Sequence, residues 1–232
     1  MWLKSLTGIL TTGSSFASLH VEYLLGETTV RVIVRNCCSI VWNSLKAIEI
    51  PEKKNDDWVN IANGFYRKTQ FQNCIGVVDG KHIWIKLPTG SGSLLFNYKY
   101  LFLVLLLALV AADYWFIAVV VGSVGKSSDS KVFKNSNIGR KLESNELGIP
   151  GSRPLPSDNN GKCMPLVIVC DEDFALPEHV LRHYPNHLSV QQRIYNYKLT
   201  RFRRMVECAF GILANKRRIF RRPFDVIFSV FE

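Results

Sequence analysis

The order of apolar runs along the chain predicts an α/β protein, a sheet flanked by helices over residues 67–232 with a small helical region over residues 1–66. Three observations predict it. Apolar residues recur at three- and four-residue steps between residues 15 and 50, the spacing of helices. Short, nearly unbroken apolar runs, CIGVVDGKHIWI, LFLVLLLALVAADYWFIAVVV and LVIVC, have the length and β-branched content of buried strands. Near the end, Leu199, Phe202, Val206, Phe210 and Leu213 form the stripe of a long amphipathic helix. With 232 residues, 47% of them hydrophobic, the composition is globular and sufficient for one core-bearing domain and a small extra unit.

In the N-terminal region, Leu24, Val30, Val32, Ile33, Cys37, Ile40, Val41 and Leu45 carry the helical period. Gly26 breaks it, and Thr28 and Thr29 offer caps for the second helix. Two or three helices with a tight turn resemble a helix-turn-helix, and an ordinary helical packing unit fits equally well. Pro51 and the polar EKKNDD run end this part, and Trp58–Phe65 reads as one more short helix.

A strand through Asp79 follows, ending at Leu87-Pro88, with a loop at Thr89–Ser93. The run at residues 101–121 has the length of a membrane span, but Asp113 sits near its midpoint, where a charge is costly. It splits instead into two buried strands, Leu101–Ala112 and Tyr114–Val121, so no membrane is expected. After a loop at Gly122–Ser128, Ser128 or Asp129 caps a helix over Lys131–Leu142. Beyond the Pro/Gly/Asn-rich loop Pro150–Pro165, Leu166–Cys170 forms another strand and ends on Asp171. The long helix runs from about Gln191 to Arg217, with Glu207 beside its stripe.

The net charge is +10. Between Arg193 and Arg222 the only acid among ten lysines and arginines is Glu207, so nearly all the excess is concentrated there. Such a concentration favours an anionic partner, nucleic acid or an acidic membrane surface. The six cysteines form no CxxC pair and no zinc-finger spacing, which argues against a structural zinc and for a reducing compartment. The opening MWLKSLTGILTTGSS lacks the sustained apolar stretch of a signal peptide.

Asp79 lies inside an apolar run, where a lone carboxylate costs stability unless it is paired. Asp-Gly is a common hairpin signal; a metal ligand is the alternative. If the first and fourth strands pair, Asp79 and Asp171 become neighbours, and a helix packed on that sheet aims Glu207 at the same point. Clustered carboxylates resist ionising together, a conflict that Mg²⁺ or Mn²⁺ resolves with oxygen ligands. For Glu207 an ion pair with Arg203 or Arg204 is the competing role.

Together the blocks CIGVVDGKHI, NYKYLFLVLLLALVAADYWF, VGSVGKSSDSKVFKNS, VIVCDEDFAL and RIYNYKLTRFRRMVECAFGILANKRRIF resemble the PIF/Harbinger transposase group, closest to its domesticated nucleases. The likeness is collinear from about Ser15 to Phe224. It implies a ribonuclease-H-like mixed sheet and a catalytic, metal-binding triad falling on Asp79, Asp171 and Glu207. It also implies a divalent Mg²⁺ or Mn²⁺ cofactor, DNA as substrate, a Myb-like accessory DNA-binding protein and residence in the nucleus, with cytoplasm as a second location. Asp129 lies in a matching block, as a helix cap or as an accessory acid, and His82 either orients the site or is structural. Arg201, Arg203, Arg204, Lys216, Arg217 and Arg218 form a basic set suited to phosphates or to a solvated helix face. Ala111 and Val120 stand where the group often has Asp, the chain begins inside the group's helical region, and an element that follows the basic helix is missing. The expectation is therefore a metal-dependent DNA endonuclease, with a catalytically inactive DNA-binding or interaction protein as the alternative.

Overall fold

An eight-residue and a 23-residue helix, α1 (Phe16–Tyr23) and α2 (Glu27–Glu49), open the main body of the computed structural model, after one π-helical turn at Gly8–Thr12. The structure describes residues 6–86, 103–124, 128–155, 161–172, 174, 179–185 and 188–224. The expected strand end at Leu87-Pro88, the loop at Thr89–Ser93 and the first two residues of the run at Leu101 lie outside them, as do parts of the two later loops.

The break at Gly26 holds, but Gly26 itself is the N-cap of α2. Thr28 and Thr29 fall inside the first turn instead of capping it, and the first turn is steadied by the Arg31–Glu27 ion pair at 2.6 Å. Leu6, Ile9, Leu19, Val30, Ile33, Val34 and Cys37 form a core of their own, with Ile219 packed against it. The second half of α2 leaves Ile40, Leu45 and Ile48 exposed.

Helix α3 (Asn55–Thr69) turns its stripe of Trp58, Ala62 and Phe65 onto the sheet. Five strands form that sheet among the described residues: β1 (Cys74–Trp84), β2 (Leu103–Val110), β3 (Phe116–Val124), β4 (Val167–Val169) and β5 (Val180–Leu181), in the order β3-β2-β1-β4-β5. The first three pair antiparallel, whereas β1–β4 and β4–β5 are parallel. The architecture is thus the expected mixed α/β sheet flanked by helices, consistent with a ribonuclease-H-like fold. All eight residues of β2 are buried, as a central strand covered on both faces must be. No helix among the described residues is long and apolar enough to cross a membrane. The described part of that run, 103–121, supplies sheet core, and β3 continues through Val124 where a loop is expected from Gly122.

The single helix expected over Lys131–Leu142 is two, α4 (Asp129–Asn135) and α5 (Asn137–Glu143). Ser136 divides them: its hydroxyl donates to the Phe133 carbonyl at 2.6 Å and accepts from the Gly139 N–H at 3.0 Å, ending one helix and capping the next. The corner is so tight that a Cβ on Gly139 would sit 1.9 Å from the Phe133 carbonyl oxygen.

Helix α6 (Val190–Lys216), opened by a Ser189–Gln192 capping box, covers the face of the sheet opposite α4 and α5. Its stripe is buried at Leu199, Phe202, Val206 and Phe210. Phe202 meets Phe65 of α3 and Phe71, with ring centroids 5.5 and 5.1 Å away. After a 3₁₀ turn at Arg218–Arg221, the chain returns to the far end of β1, where Phe224 bonds Trp84 and Lys86.

Because Phe202 is fully buried and joins two helices, Phe202→Ala is expected to cost about 3–5 kcal/mol. Val190→Ala, at a site 70% exposed on the same helix, should stay within about 0.5 kcal/mol. Urea unfolding midpoints of the two variants compare them directly.

Candidate active site

The strand β1 carries Asp79 as the first residue of its run that is not fully buried. In the parallel ladder Val77 pairs with Val169, and two residues beyond each lie Asp79 and Asp171. Side chains repeat a face every second residue, and neighbouring strands run about 4.8 Å apart, so the two carboxylates stand side by side. Asp171 lies just past the end of β4, where its Oδ1 accepts the Glu172 N–H at 2.9 Å, and Asp79 Oδ1 likewise accepts the Gly80 N–H at 2.9 Å. Between them is a cleft of about 10 Å³, the room of one water or ion, lined also by Cys170, His183, Leu199 and Arg203.

The long helix brings Arg203 to this cleft, with Glu207 one turn further along paired to it. Arg203 Nη1 lies 3.3 Å from Asp171 Oδ1 and its Nε lies 3.5 Å from Glu207 Oε1. Glu207 thus joins the aspartates through the guanidinium, with its own side chain 57% exposed. Among the described residues no three of His, Cys, Asp and Glu form a ready metal cage. Burial pushes the Asp79 carboxyl above its ordinary 3.8; the Gly80 N–H and Arg203 pull it down, while Asp129 and Asp171 push it up again. Burial likewise raises the Cys170 thiol, with Cys74 and the two aspartates adding to it. The cleft is a place where negative charge is crowded and partly desolvated, held by one internal cation.

Asp129 approaches from the other face. Ser128, not Asp129, caps α4 by accepting the Lys131 N–H at 3.3 Å, so the Asp129 carboxylate is released from that role. It lies over Gly80, where a Cβ would fall 2.1 Å from its Oδ2. Only glycine next to Asp79 admits that approach. His82 is three residues from Asp79 on β1, hence on the opposite face, and is exposed. Asp173, beside Asp171, lies outside the described residues.

Of the basic set, Arg203 alone touches the carboxylates among the described residues. Arg201 and Arg204 occupy another flank of α6, lining a cavity with Lys68 and Tyr114. Lys216, Arg217 and Arg218 are exposed at the helix end. Two site residues carry no signal in the sequence: His183, which reaches the cleft from the loop before α6 with Nε2 3.4 Å from Thr200 Oγ1, and Lys68 on α3.

Neither a curated protein nor a solved structure matches the chain. Residues 78–228, well over half of the chain and spanning both aspartates and α6, match the DDE superfamily endonuclease family, and the chain belongs to it.

Proposed function

We propose that the protein is a metal-dependent DNA endonuclease of Harbinger transposase descent, with Asp79, Asp171 and Glu207 as its carboxylate triad. The observation that carries the reading is the parallel register of β1 and β4, which sets Asp79 and Asp171 abreast beneath α6. The donor set fits a hard divalent cation: carboxylate oxygens, one raised by burial and by its acidic neighbours, and a guanidinium spanning the two others as a cation in kind. Mg²⁺ or Mn²⁺ held by these oxygens supplies Lewis acidity that generates a nucleophile from water at neutral pH and offsets charge on the leaving 3′ oxygen.

The chain's own residues do the rest. Asp79 and Asp171 hold fixed positions because their strands are buried and paired. Arg203 keeps the acids compatible before metal arrives, and then stands beside the scissile phosphate as a donor. Asp129, behind Gly80, adds negative charge to the same point. Arg201, Arg204, Lys216, Arg217 and Arg218 grip the DNA backbone without reading bases. The same descent implies a nuclear protein recruited to DNA by a Myb-like partner.

A second reading, a DNA-binding or interaction protein without catalysis, is favoured by one observation: Arg203 already pairs with both Asp171 and Glu207, and Glu207 stays largely exposed. Plasmid nicking separates the two. With Mg²⁺ or Mn²⁺ the wild type is expected to nick supercoiled DNA. Asp79→Asn and Asp171→Asn should each lose more than about 100-fold, beyond the cost of losing an outer-shell partner. Retained DNA binding with no nicking under either metal would establish the second reading.

Arg203→Gln removes two partly exposed ion pairs, so Mn²⁺ should bind roughly two- to tenfold more tightly, as titrated by electron paramagnetic resonance. The stability of the metal-free protein gives an independent check. Asp79 is raised in the folded state, so its contribution to stability is fully present below its ordinary 3.8 and is lost as pH rises through the raised value. In EDTA, Asp79→Asn is therefore expected to melt above the wild type at neutral pH, with the gap closing on acidification. A gap that widens towards low pH would contradict that placement of charge.

A further inference from the structure

On the flank of α6 turned away from the carboxylates, a cavity of about 230 Å³ is lined by Lys68, Thr69, Tyr114, Arg201, Arg204, Met205 and Cys208. Three of these side chains are cationic and none is acidic. Lys68 Nζ donates to the Ala112 carbonyl at 2.8 Å and stands 5.1 Å from the centre of the Tyr114 ring, keeping two further protons to donate. Among the described residues neither Arg201 nor Arg204 has a carboxylate partner. Of the two acids next in sequence to cavity residues, Glu207 pairs with Arg203 at 3.5 Å and Asp113 turns to the Trp115 N–H at 3.5 Å. Converging cations without a counter-charge repel one another, and an anion entering the cavity removes that cost.

The aromatic side of the cavity is unusual as well. Tyr114 holds φ at +70°, a left-handed conformation that is a genuine outlier for a bulky side chain. Such strain persists only where the surroundings enforce it and concentrates at functional sites. It turns the tyrosine towards Lys68 at the tip of the β2–β3 turn, with Tyr114 37% exposed and the neighbouring Trp115 64% exposed. Cationic grooves combined with exposed aromatic rings are the means by which proteins hold single-stranded nucleic acid, phosphates on the charges and bases on the rings.

We propose that this cavity is a subsite for one unpaired nucleotide of the DNA substrate, its phosphate held by Arg201, Arg204 and Lys68 and its base against Tyr114. This rests on the reading of DNA as the substrate. Arg204 and Cys208 follow Arg203 and Glu207 by one residue each, about 100° around the helix. On a helix roughly 10 Å across, the two flanks are therefore about 8 Å apart. A strand crossing α6 from the acidic cleft reaches the cavity within a few nucleotides, so the unpaired nucleotide lies beside the cut. The volume suits one phosphate and its attached sugar or base, below the roughly 300–1,000 Å³ of a metabolite-sized site.

Cys208 lines the cavity and is an exposed free thiol, as are Cys38 and Cys163 elsewhere. Maleimide labelling of the whole chain in EDTA, read by peptide mass spectrometry, therefore reports occupancy without any cleavage. A single-stranded oligonucleotide, its binding followed by fluorescence anisotropy, is expected to slow labelling of Cys208 at least tenfold while leaving Cys38 and Cys163 unchanged. A blunt duplex at equal occupancy should protect it less. Tyr114→Ala should weaken single-strand binding about 5- to 150-fold. Arg201→Gln and Arg204→Gln, both at exposed positions that spare the core, should each flatten the slope of log K against log salt by about 0.7. If the oligonucleotide binds but Cys208 labels at its free rate, or the duplex protects equally, the subsite is overturned and the substrate reading stands. If neither nucleic acid binds at all, both fall.

Discussion

The parallel pairing of β1 with β4 is the contact on which the remainder of the molecule depends. It joins segments distant in sequence, and it does so between apolar strands whose side chains are buried on both faces. Burial makes the register stiff, because a slip of one residue would exchange the faces of Ile75, Val77 and Val78 and force each into a core packed around other side chains. That stiffness is what allows two like charges to stand a strand's width apart. Left to themselves, Asp79 and Asp171 would separate. The sheet does not let them: burial, with a smaller push from Asp129 and Asp171, raises the Asp79 carboxyl, and a guanidinium is drawn between Asp171 and Glu207.

One helix then organises two surfaces of different character. α6 is anchored by Leu199, Phe202 and Val206, all fully buried, so the directions of its other residues are set by helix geometry alone. Arg203 falls on the acidic cleft with Glu207 paired to it, and the residues that follow each of them fall on the basic cavity with Lys68 and Tyr114. The positive charge on α6 is thus divided: Arg203 pairs with the protein's own acids, and Arg201 and Arg204 line the basic cavity. The proposed metal chemistry and the proposed strand binding thus share a single rigid support.

The main elements were legible because their signals are local and repeated. The apolar run through Asp79, the run ending on Asp171, the paired strands around Asp113 and the stripe of the long helix each carry a clear period or length, and the structure contains all of them. Where the sequence misled, a single side chain outweighed the period. Ser136 takes up the backbone groups of two turns and splits a seemingly continuous helix. Gly26 caps α2 in place of the threonines that follow it. The two-residue strand β5, at Val180–Leu181, is too short to show any alternation and exists because β4 offers it an edge.

Composition and order, through burial and periodicity, were sufficient to specify a sheet, its covering helices and the two aspartates at strand positions that match once β1 and β4 pair; the mixed strand directions followed only from the family resemblance. They could not specify which cations meet which acids, that Asp129 leans over Gly80, or that Lys68, Tyr114, Arg201 and Arg204 enclose one cavity. The reason is physical: apolar pattern is written residue by residue along the chain, whereas electrostatic partnership depends on distances between segments that only packing brings within a few ångströms.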